Sequence, residues 1–255
     1  MWDTLILNPM INVLLLIYDY LGDNFGIAII IFTALIRLLT YPLTASSLRS
    51  SQKMQELQQS KRWQDIQKKY KDNKQKLQEE QMKMYQEAGF NPLGGCLPTL
   101  IQFPIIIGLY QAIINVMASA PIQLLNLSSH LYSFISTSII PLNSKFLWMD
   151  LGQPERLPVS FLPFDIPVLT ILVVISSYLS TKMTPTPTGD GQGAQMTQMM
   201  GIYMPLLMGY LAYTYASGLA LYFVVSNLLG IVQNMAMGRA NLKDLFSFKL
   251  PWKKT

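Results

Sequence analysis

Charged residues, cysteine and histidine are all scarce in this chain of 255 residues. Asp, Glu, Lys and Arg make up 13% of it, about half of the roughly 25% that is usual in soluble domains, which argues against a soluble enzyme. The single cysteine, Cys96, excludes an internal disulfide and a cysteine-rich zinc site. The single histidine, His130, excludes most metal and triad chemistry. The sequence therefore predicts no metal site, no cofactor and no hydrolytic or redox catalysis.

Hydrophobic residues, in contrast, make up 51% of the chain and form four long runs. Three runs have a length near the roughly 20 residues that a helix needs to cross about 30 Å of hydrocarbon. The fourth, residues 199–237, would be about 58 Å long as one helix, so it should fold back at Ala216, Ser217 and Gly218. The sequence thus predicts an all-α polytopic membrane protein with five transmembrane helices, at residues 25–43, 97–117, 166–183, 199–215 and 219–237.

The distribution of Lys and Arg sets the predicted orientation. Ten of the 19 lie in residues 44–96 and five in the tail, residues 238–255, whereas residues 118–165 contain only Lys145 and Arg156. Basic loops are retained on the cytoplasmic side of a membrane. We therefore expect the N-terminus outside the cell and the basic tail in the cytoplasm.

The remaining segments follow from this orientation. We expect residues 184–198 to form a cytoplasmic loop and residues 216–218 to form an external turn. Residues 121–140 are apolar enough for a sixth span, but that span would move the basic tail outside. We therefore expect this stretch, within the external loop 118–165, to form an amphipathic helix at the membrane interface, and residues 1–24 to do the same.

The polar segment between the first two spans, residues 44–96, contains narrow apolar stripes at helical spacing. Asp72 and Asn73 interrupt the helical pattern and offer an N-cap, and Gly89 offers a helix end. The segment therefore predicts a cytoplasmic helical hairpin followed by a loop. The apolar stripes consist of Met54, Leu57, Ile66, Tyr70, Leu77, Met84 and Tyr85. On charge alone, a solvated face without a partner is an equal alternative.

Arg37 is the one basic residue deep within a predicted span. It lies twelve residues after Phe25, about 18 Å into a helix of about 28 Å. Thr33, Arg37 and Thr40 share one face of that helix. A guanidinium at this depth must face protein or water, because contact with lipid tails costs at least about 2.5 kcal/mol. The stripe therefore predicts a hydrophilic cavity inside the membrane.

Other spans contribute uncharged polar groups that could line the same cavity. They are Gln102 in the second span, Ser176 and Ser177 in the third, and Asn227 and Gln233 in the fifth. No predicted span contains an Asp or Glu that could neutralise Arg37. We therefore expect the cavity to accept an acidic group of a guest polypeptide transiently, while the apolar part of the guest moves into lipid.

Several motifs, taken together, resemble the YidC-type membrane protein insertase family of bacteria, mitochondria and chloroplasts. The motifs include Arg37 before Tyr41-Pro42-Leu43, and Asn91-Pro92-Leu93-Gly94-Gly95-Cys96-Leu97-Pro98 continuing to Gln102-Phe103-Pro104. Further along are Phe146-Leu147-Trp148-Met149-Asp150-Leu151, Tyr203-Met204-Pro205-Leu206, and Gly218-Leu219-Ala220-Leu221-Tyr222 leading to Ser226-Asn227 and Gln233.

The resemblance implies an insertase without covalent catalysis or nucleotide hydrolysis, in the inner or plasma membrane of a cell, a thylakoid or an organelle. It implies a groove centred on Arg37 that is open to cytoplasm and lipid, and a hairpin that receives clients. The implied partners are nascent single-spanning or small membrane proteins, membrane lipid and the ribosome, with the Sec translocon and the signal recognition particle pathway as further candidates. No sequence-specific binding of nucleic acid is implied.

Two other classes of function fit an unpaired arginine in a wet cavity. One is an anion channel or transporter. The other is a lipid-scrambling or assembly protein, in which Arg37 would hold a lipid phosphate. Insertion of a client, anion flux and lipid movement in liposomes distinguish the three.

Overall fold

The computed structural model describes residues 1–71, 73–89, 97–117, 121–133, 135, 142–157, 165–183 and 192–237, without the side chains of residues 74, 97–101, 121–124 and 192–200. Several predicted features lie outside the described residues. They are Asp72, Cys96, the basic tail 238–255, residues 184–191 of the predicted loop 184–198, and parts of the predicted loop 118–165.

The described residues are mostly helical. A π-helical turn, Asp3–Leu7, leads into α1. The helices are α1 (Asn8–Tyr20), α2 (Phe25–Gln59), α3 (Lys61–Lys69), α4 (Lys74–Glu87), α5 (Leu97–Val116), α6 (Pro121–His130), α7 (Val168–Met183), α8 (Gln192–Thr214) and α9 (Ser217–Ala236). The predicted helical fold is thus confirmed at this level.

Two short antiparallel strands, β1 (Lys145–Phe146) and β2 (Met149–Asp150), form a β-hairpin that the sequence did not predict. Strands of two residues are too short to show an alternation of apolar and polar residues. The hairpin lies within the predicted loop 118–165.

Among the residues that the structure describes with their side chains, two helices, α2 and α9, are long and apolar enough to cross a membrane. Gln102–Val116 within α5 and Val168–Met183 are shorter apolar helices. The five predicted spans correspond in chain order to α2, α5, α7, α8 and α9, and the number of crossings stays a prediction. The turn between the last two comprises residues 215–216, so it begins one residue and ends two residues before the predicted turn 216–218.

α2 continues far beyond the predicted end of the first span at residue 43. It contains Pro42 and runs unbroken to Gln59. Proline removes one backbone N–H and disfavours a helix interior, but the preceding and following turns remain helical. The first span and the first arm of the predicted hairpin are therefore one continuous helix.

The charged segment has one helix break where it was predicted and one that was missed. Asn73 caps α4, because its Oδ1 accepts the N–H of Lys76 at 3.1 Å, and Gly89 follows α4 with φ +68°. The missed break is at Ser60, which has extended ψ of 147° and accepts the N–H of Trp63 on its Oγ at 3.3 Å. The segment thus folds as the end of α2 with α3 and α4.

Fully buried apolar side chains gather where α1, the first turns of α2, α5 and the first turns of α9 meet. They include Ile11, Leu14, Leu15, Phe25, Ile29, Phe32, Leu109, Ile113 and Tyr222. α1 therefore packs one face on the bundle. Asn12 fixes α6 to it, because its Nδ2 donates to the carbonyl of His130 at 2.8 Å and its Oδ1 accepts the N–H of Tyr132 at 2.7 Å.

The β-hairpin and the residues after it cover the N-terminal ends of α2 and α9. The ring of Phe146 packs directly on Gly26, where a Cβ would clash with it. At the start of α9, the N–H of Gly218 donates to the carbonyl of Leu151 at 3.0 Å, and the Oγ of Ser217 donates to the carbonyl of Asp150 at 2.6 Å. This segment caps α9 and closes one end of the bundle.

Candidate functional site

Arg37 faces α9, where a neutral hydroxyl holds it. Its Nε and Nη2 both donate to the Oγ of Ser226, at 3.1 and 2.9 Å. Ser226 is buried, whereas Arg37 is half-buried. No carboxylate of a described residue forms an ion pair with this guanidinium, so Ser226 orients the charge without neutralising it.

Two cavities adjoin the guanidinium. The first, of about 60 Å³, is lined by Thr33, Ile36, Arg37, Thr40, Leu43, Thr44, Gln102, Ile105 and Tyr222. The second, of about 200 Å³, is lined by Arg37, Gln102, Ile106, Ser177, Ser180, Thr181, Met204, Pro205, Met208, Phe223, Ser226 and Asn227. A single water needs about 10–15 Å³ and polar partners, so both cavities have room for water beside Arg37.

The threonines of α2 share the face of Arg37, as their spacing predicts. Their hydroxyls, however, donate within the helix: Thr33 to the carbonyl of Ile29 at 2.6 Å, and Thr40 to that of Ile36 at 2.8 Å. Their oxygens therefore offer lone pairs to the first cavity, which suits water better than an anion. Thr33 is fully buried, whereas Thr40 is half-buried.

Gln102, on α5, lines both cavities and is hydrogen-bonded to α9. Its Nε2 donates to the hydroxyl of Tyr222, which is buried. Tyr222 belongs to one of the motifs of the family resemblance, but it was not selected as a cavity residue, because a tyrosine in an apolar run has the pattern of a core residue. A usable signal was its spacing, since Tyr222, Ser226 and Gly230 follow at i, i+4 and i+8 on one face of α9.

Asn227 links α9 to α7. Its Nδ2 donates to the Oγ of Ser177 at 2.8 Å and to that of Ser176 at 3.2 Å. Ser177 and Asn227 line the second cavity, and Ser176 supports Asn227 from behind. Gln233 lines neither of the two cavities, because it lies two helical turns beyond Ser226, about 10 Å along α9.

Gly230 lets the guanidinium lie directly on α9. A Cβ at this position would be 3.2 Å from Nη2 and 3.4 Å from Nη1 of Arg37. The shorter separation is tighter than an ordinary contact, so the guanidinium would have to shift by a few tenths of an ångström to admit a Cβ. Ser226 and Gly230 thus fix the side chain from two sides.

None of the seven stripe residues of the charged segment is fully exposed. Met84 is buried, and the other six predicted stripe residues are half-buried. The centre is Trp63, which was not selected from the sequence; it is buried, and its ring lies 5.3 Å from that of Tyr85. Gln58 donates to the hydroxyl of Tyr85 at 2.9 Å. Packing of α2, α3 and α4 therefore accounts for much of the stripe pattern.

Comparison with known proteins identifies the family. Residues 16–244 match the family described as 60Kd inner membrane protein. The chain belongs to this family. It is similar to the membrane protein insertase MisCA of Bacillus subtilis, with 35% identity over 246 residues that cover 95% of this chain and 81% of MisCA. It is also similar to the membrane protein insertase YidC of Clostridium perfringens, with 34% identity over 243 residues, 89% of each chain. The predicted resemblance is confirmed.

A solved structure is similar as well. It is described as an active YidC insertase with the first transmembrane domain resolved; the TM-score is 0.55 and the identity 30%, over 88% of this chain and 44% of that chain. Other relatives are also longer: this chain spans 38% of the length of the YidC of Syntrophobacter fumaroxidans. As a member of the 60Kd inner membrane protein family with apolar helices of spanning length, the chain is an inner- or plasma-membrane protein.

Proposed function

We propose that this protein is a membrane protein insertase that receives client segments in the groove around Arg37 and releases them sideways into lipid, without covalent catalysis. The observation that carries the proposal is a guanidinium held by a neutral serine beside two cavities that are lined by both polar and apolar residues. The names of its relatives in the 60Kd inner membrane protein family support the same function.

The proposed topology has five spans, formed by α2, α5, α7, α8 and α9, with the N-terminus outside and the C-terminus in the cytoplasm. The charged segment of α2, α3 and α4 then lies in the cytoplasm and the β-hairpin outside. This arrangement keeps the ten basic residues of positions 44–96 on the cytoplasmic side. The closed end of the bundle is the external end, so a client can enter only from the cytoplasm or from lipid.

The proposed mechanism uses the uncompensated charge of Arg37. A carboxylate of a client at about 4 Å, with an effective dielectric constant near 20, would gain about 4 kcal/mol, less where the cavity is hydrated. This attraction holds an acidic segment in the groove only transiently. The apolar helix of the client then leaves along the exposed apolar faces of the spans, because its burial in lipid is favourable.

The charged segment is the proposed receiving surface. Its packed core around Trp63 and Met84 makes it a folded unit, and its exposed basic side chains surround that core. The proposed clients are nascent single-spanning or small membrane proteins. The ribosome, the Sec translocon and the signal recognition particle pathway are the proposed delivery partners, by analogy with the family resemblance.

Reconstitution of the purified protein alone into liposomes tests the groove. Arg37→Ala should slow insertion of a single-spanning client with an acidic leader by at least tenfold, and Arg37→Lys should retain much of the activity if charge matters more than the planar fork. Arg156→Ala is the matched control, since Arg156 is exposed and lies outside both cavities and outside the charged segment.

Normal insertion by the Arg37→Ala protein would refute the mechanism based on charge. The same liposomes address the channel and scrambling functions considered from the sequence, which the comparisons do not support. Selective anion flux, or lipid movement, with no insertion of any client would replace the insertase proposal.

A further inference from the structure

The turn of the β-hairpin exposes two large apolar residues. Leu147 and Trp148 connect β1 to β2, and their side chains are 74% and 49% exposed. Leu147 has φ +54°, a conformation that glycine, asparagine and aspartate adopt at low cost and leucine does not. Within the part of the chain that the structure describes, no burial of Leu147 compensates for this strained backbone.

The turn is held rigidly in this exposed position. The Nε1 of Trp148 donates to Oε1 of Glu155 at 2.7 Å, and Oε2 of Glu155 accepts the N–H of Leu169, in the first turn of α7, at 2.7 Å. Glu155 is buried. The exposed turn of Leu147 and Trp148, here called the hairpin tip, is therefore connected through Glu155 to the start of α7.

The position of the β-hairpin places this tip at the edge of the surface that faces lipid. Phe146, the residue before Leu147, packs on Gly26 in the first turn of α2. From that turn onward, α2 exposes apolar side chains such as Ile27 and Ile31. The hairpin tip therefore continues the lipid-facing surface at the level where α2 begins, which is the zone where tryptophan is enriched in membrane proteins.

We propose that Leu147 and the exposed face of Trp148 insert into the interfacial zone of the outer leaflet, between the phospholipid headgroups and the acyl chains. Lipid burial of Leu147 then compensates for its strained backbone. Lys145, exposed at the start of the hairpin, reaches the phosphates. The proposal rests on the topology proposed above, in which the β-hairpin is external.

Depth measurement in phosphatidylcholine liposomes tests this inference. In a Cys96→Ala background, Leu147→Cys and Gln153→Cys are labelled with the same environment-sensitive fluorophore; Gln153 is exposed in the same segment. At position 147, brominated lipids should quench at least threefold more strongly than at position 153, and aqueous iodide at least threefold less. Equal quenching of the two sites by iodide and by bromolipid would overturn the insertion of the tip.

Labelling of Gln153→Cys by a membrane-impermeant maleimide from outside separates the inference from the topology. If position 153 reacts from outside and the two sites are quenched equally, the tip proposal alone fails. If position 153 reacts only from the inside, the topology fails and the tip proposal fails with it.

A second variant avoids a label at the tip. In a protein whose only tryptophan is Trp148, Leu147→Asn keeps a residue suited to positive φ and removes the apolar side chain. Quenching of Trp148 by brominated lipid should fall at least twofold, with unchanged or higher thermal stability in detergent. Leu147→Phe should retain the quenching. Unchanged quenching in Leu147→Asn would contradict the proposal.

Discussion

Enlarging residue 230 should displace Arg37 without removing its charge. An alanine Cβ there would be 3.2 Å from Nη2, 3.4 Å from Nη1 and 3.5 Å from Cζ, against the roughly 3.5–4.0 Å of ordinary contacts. The guanidinium must then move by a few tenths of an ångström. Gly230→Leu adds three more carbon atoms, which occupy the place of the guanidinium itself and break its bonds to Ser226.

The magnitude follows from those two bonds. Each joins a charged donor to a neutral acceptor, at 2.9 and 3.1 Å, and such bonds contribute about 1.5–3 kcal/mol each. If the transition state of insertion loses one of these hydrogen bonds, client insertion should be roughly 10- to 150-fold slower. The helix itself gains about 0.5–1 kcal/mol when an interior glycine is replaced by alanine. Gly230→Ala should therefore unfold at nearly the wild-type temperature and insert only slightly more slowly, whereas Gly230→Leu should insert at least tenfold more slowly.

The assay is the rate of client insertion into liposomes, with thermal unfolding in detergent as the check on folding. Gly201→Leu is the matched control, because a Cβ at Gly201 in α8 meets its nearest neighbour, Thr181, only at 3.8 Å. Ser226→Ala removes the acceptor and leaves the glycine in place, so it should slow insertion as well. A folded Gly230→Leu protein that inserts at the wild-type rate would show that the position of the guanidinium does not matter.

Two further predictions concern the closed end. Gly26→Ala should lower stability by about 1–3 kcal/mol through overpacking against Phe146; Phe146→Ala in the same chain should restore part of it in thermal unfolding, and an additive loss would contradict the clash. Glu155→Ala should cost about 1–3 kcal/mol, because the N–H groups of Trp148 and Leu169 lose their acceptor. Arg156→Ala, which removes an exposed neighbour, should leave the unfolding temperature unchanged, and equal losses in the two variants would exclude a specific role of the carboxylate.

The sequence predicted the polar face of α2 because that face depends only on helical spacing. Thr33, Arg37 and Thr40 line one cavity, as their separations of four and three residues require. The partner of Arg37 was not predictable in the same way. Ser226 lies 189 residues away, and periodicity within one helix contains no information about which face of another helix it meets.

Local signals failed where a residue departs from its usual preference. Leu147 occupies a turn position that favours glycine or asparagine, so nothing in the sequence indicated a β-hairpin there. Ser60 is a favourable N-cap residue, but the uninterrupted polar composition around it concealed the helix end. Conversely, Asn73 and Gly89 were identified because a capping residue and a residue of positive φ have distinct sequence signatures.

The way in which Arg37 is held explains how the proposed insertase groove and a stable fold could coexist in one bundle. A resident carboxylate would neutralise the guanidinium and compete with an acidic client, whereas a serine hydroxyl orients it and leaves its charge intact. The uncompensated charge requires hydration, which the adjoining cavities can supply. Water that reached beyond those cavities into the apolar core would destabilise the bundle, because apolar side chains would lose their burial. Phe25, Ile29 and Ile113, near the β-hairpin, are fully buried and apolar and offer water no hydrogen-bond partner. The packing that stabilises the bundle and the exposed charge of Arg37 therefore lie in different parts of the same helices.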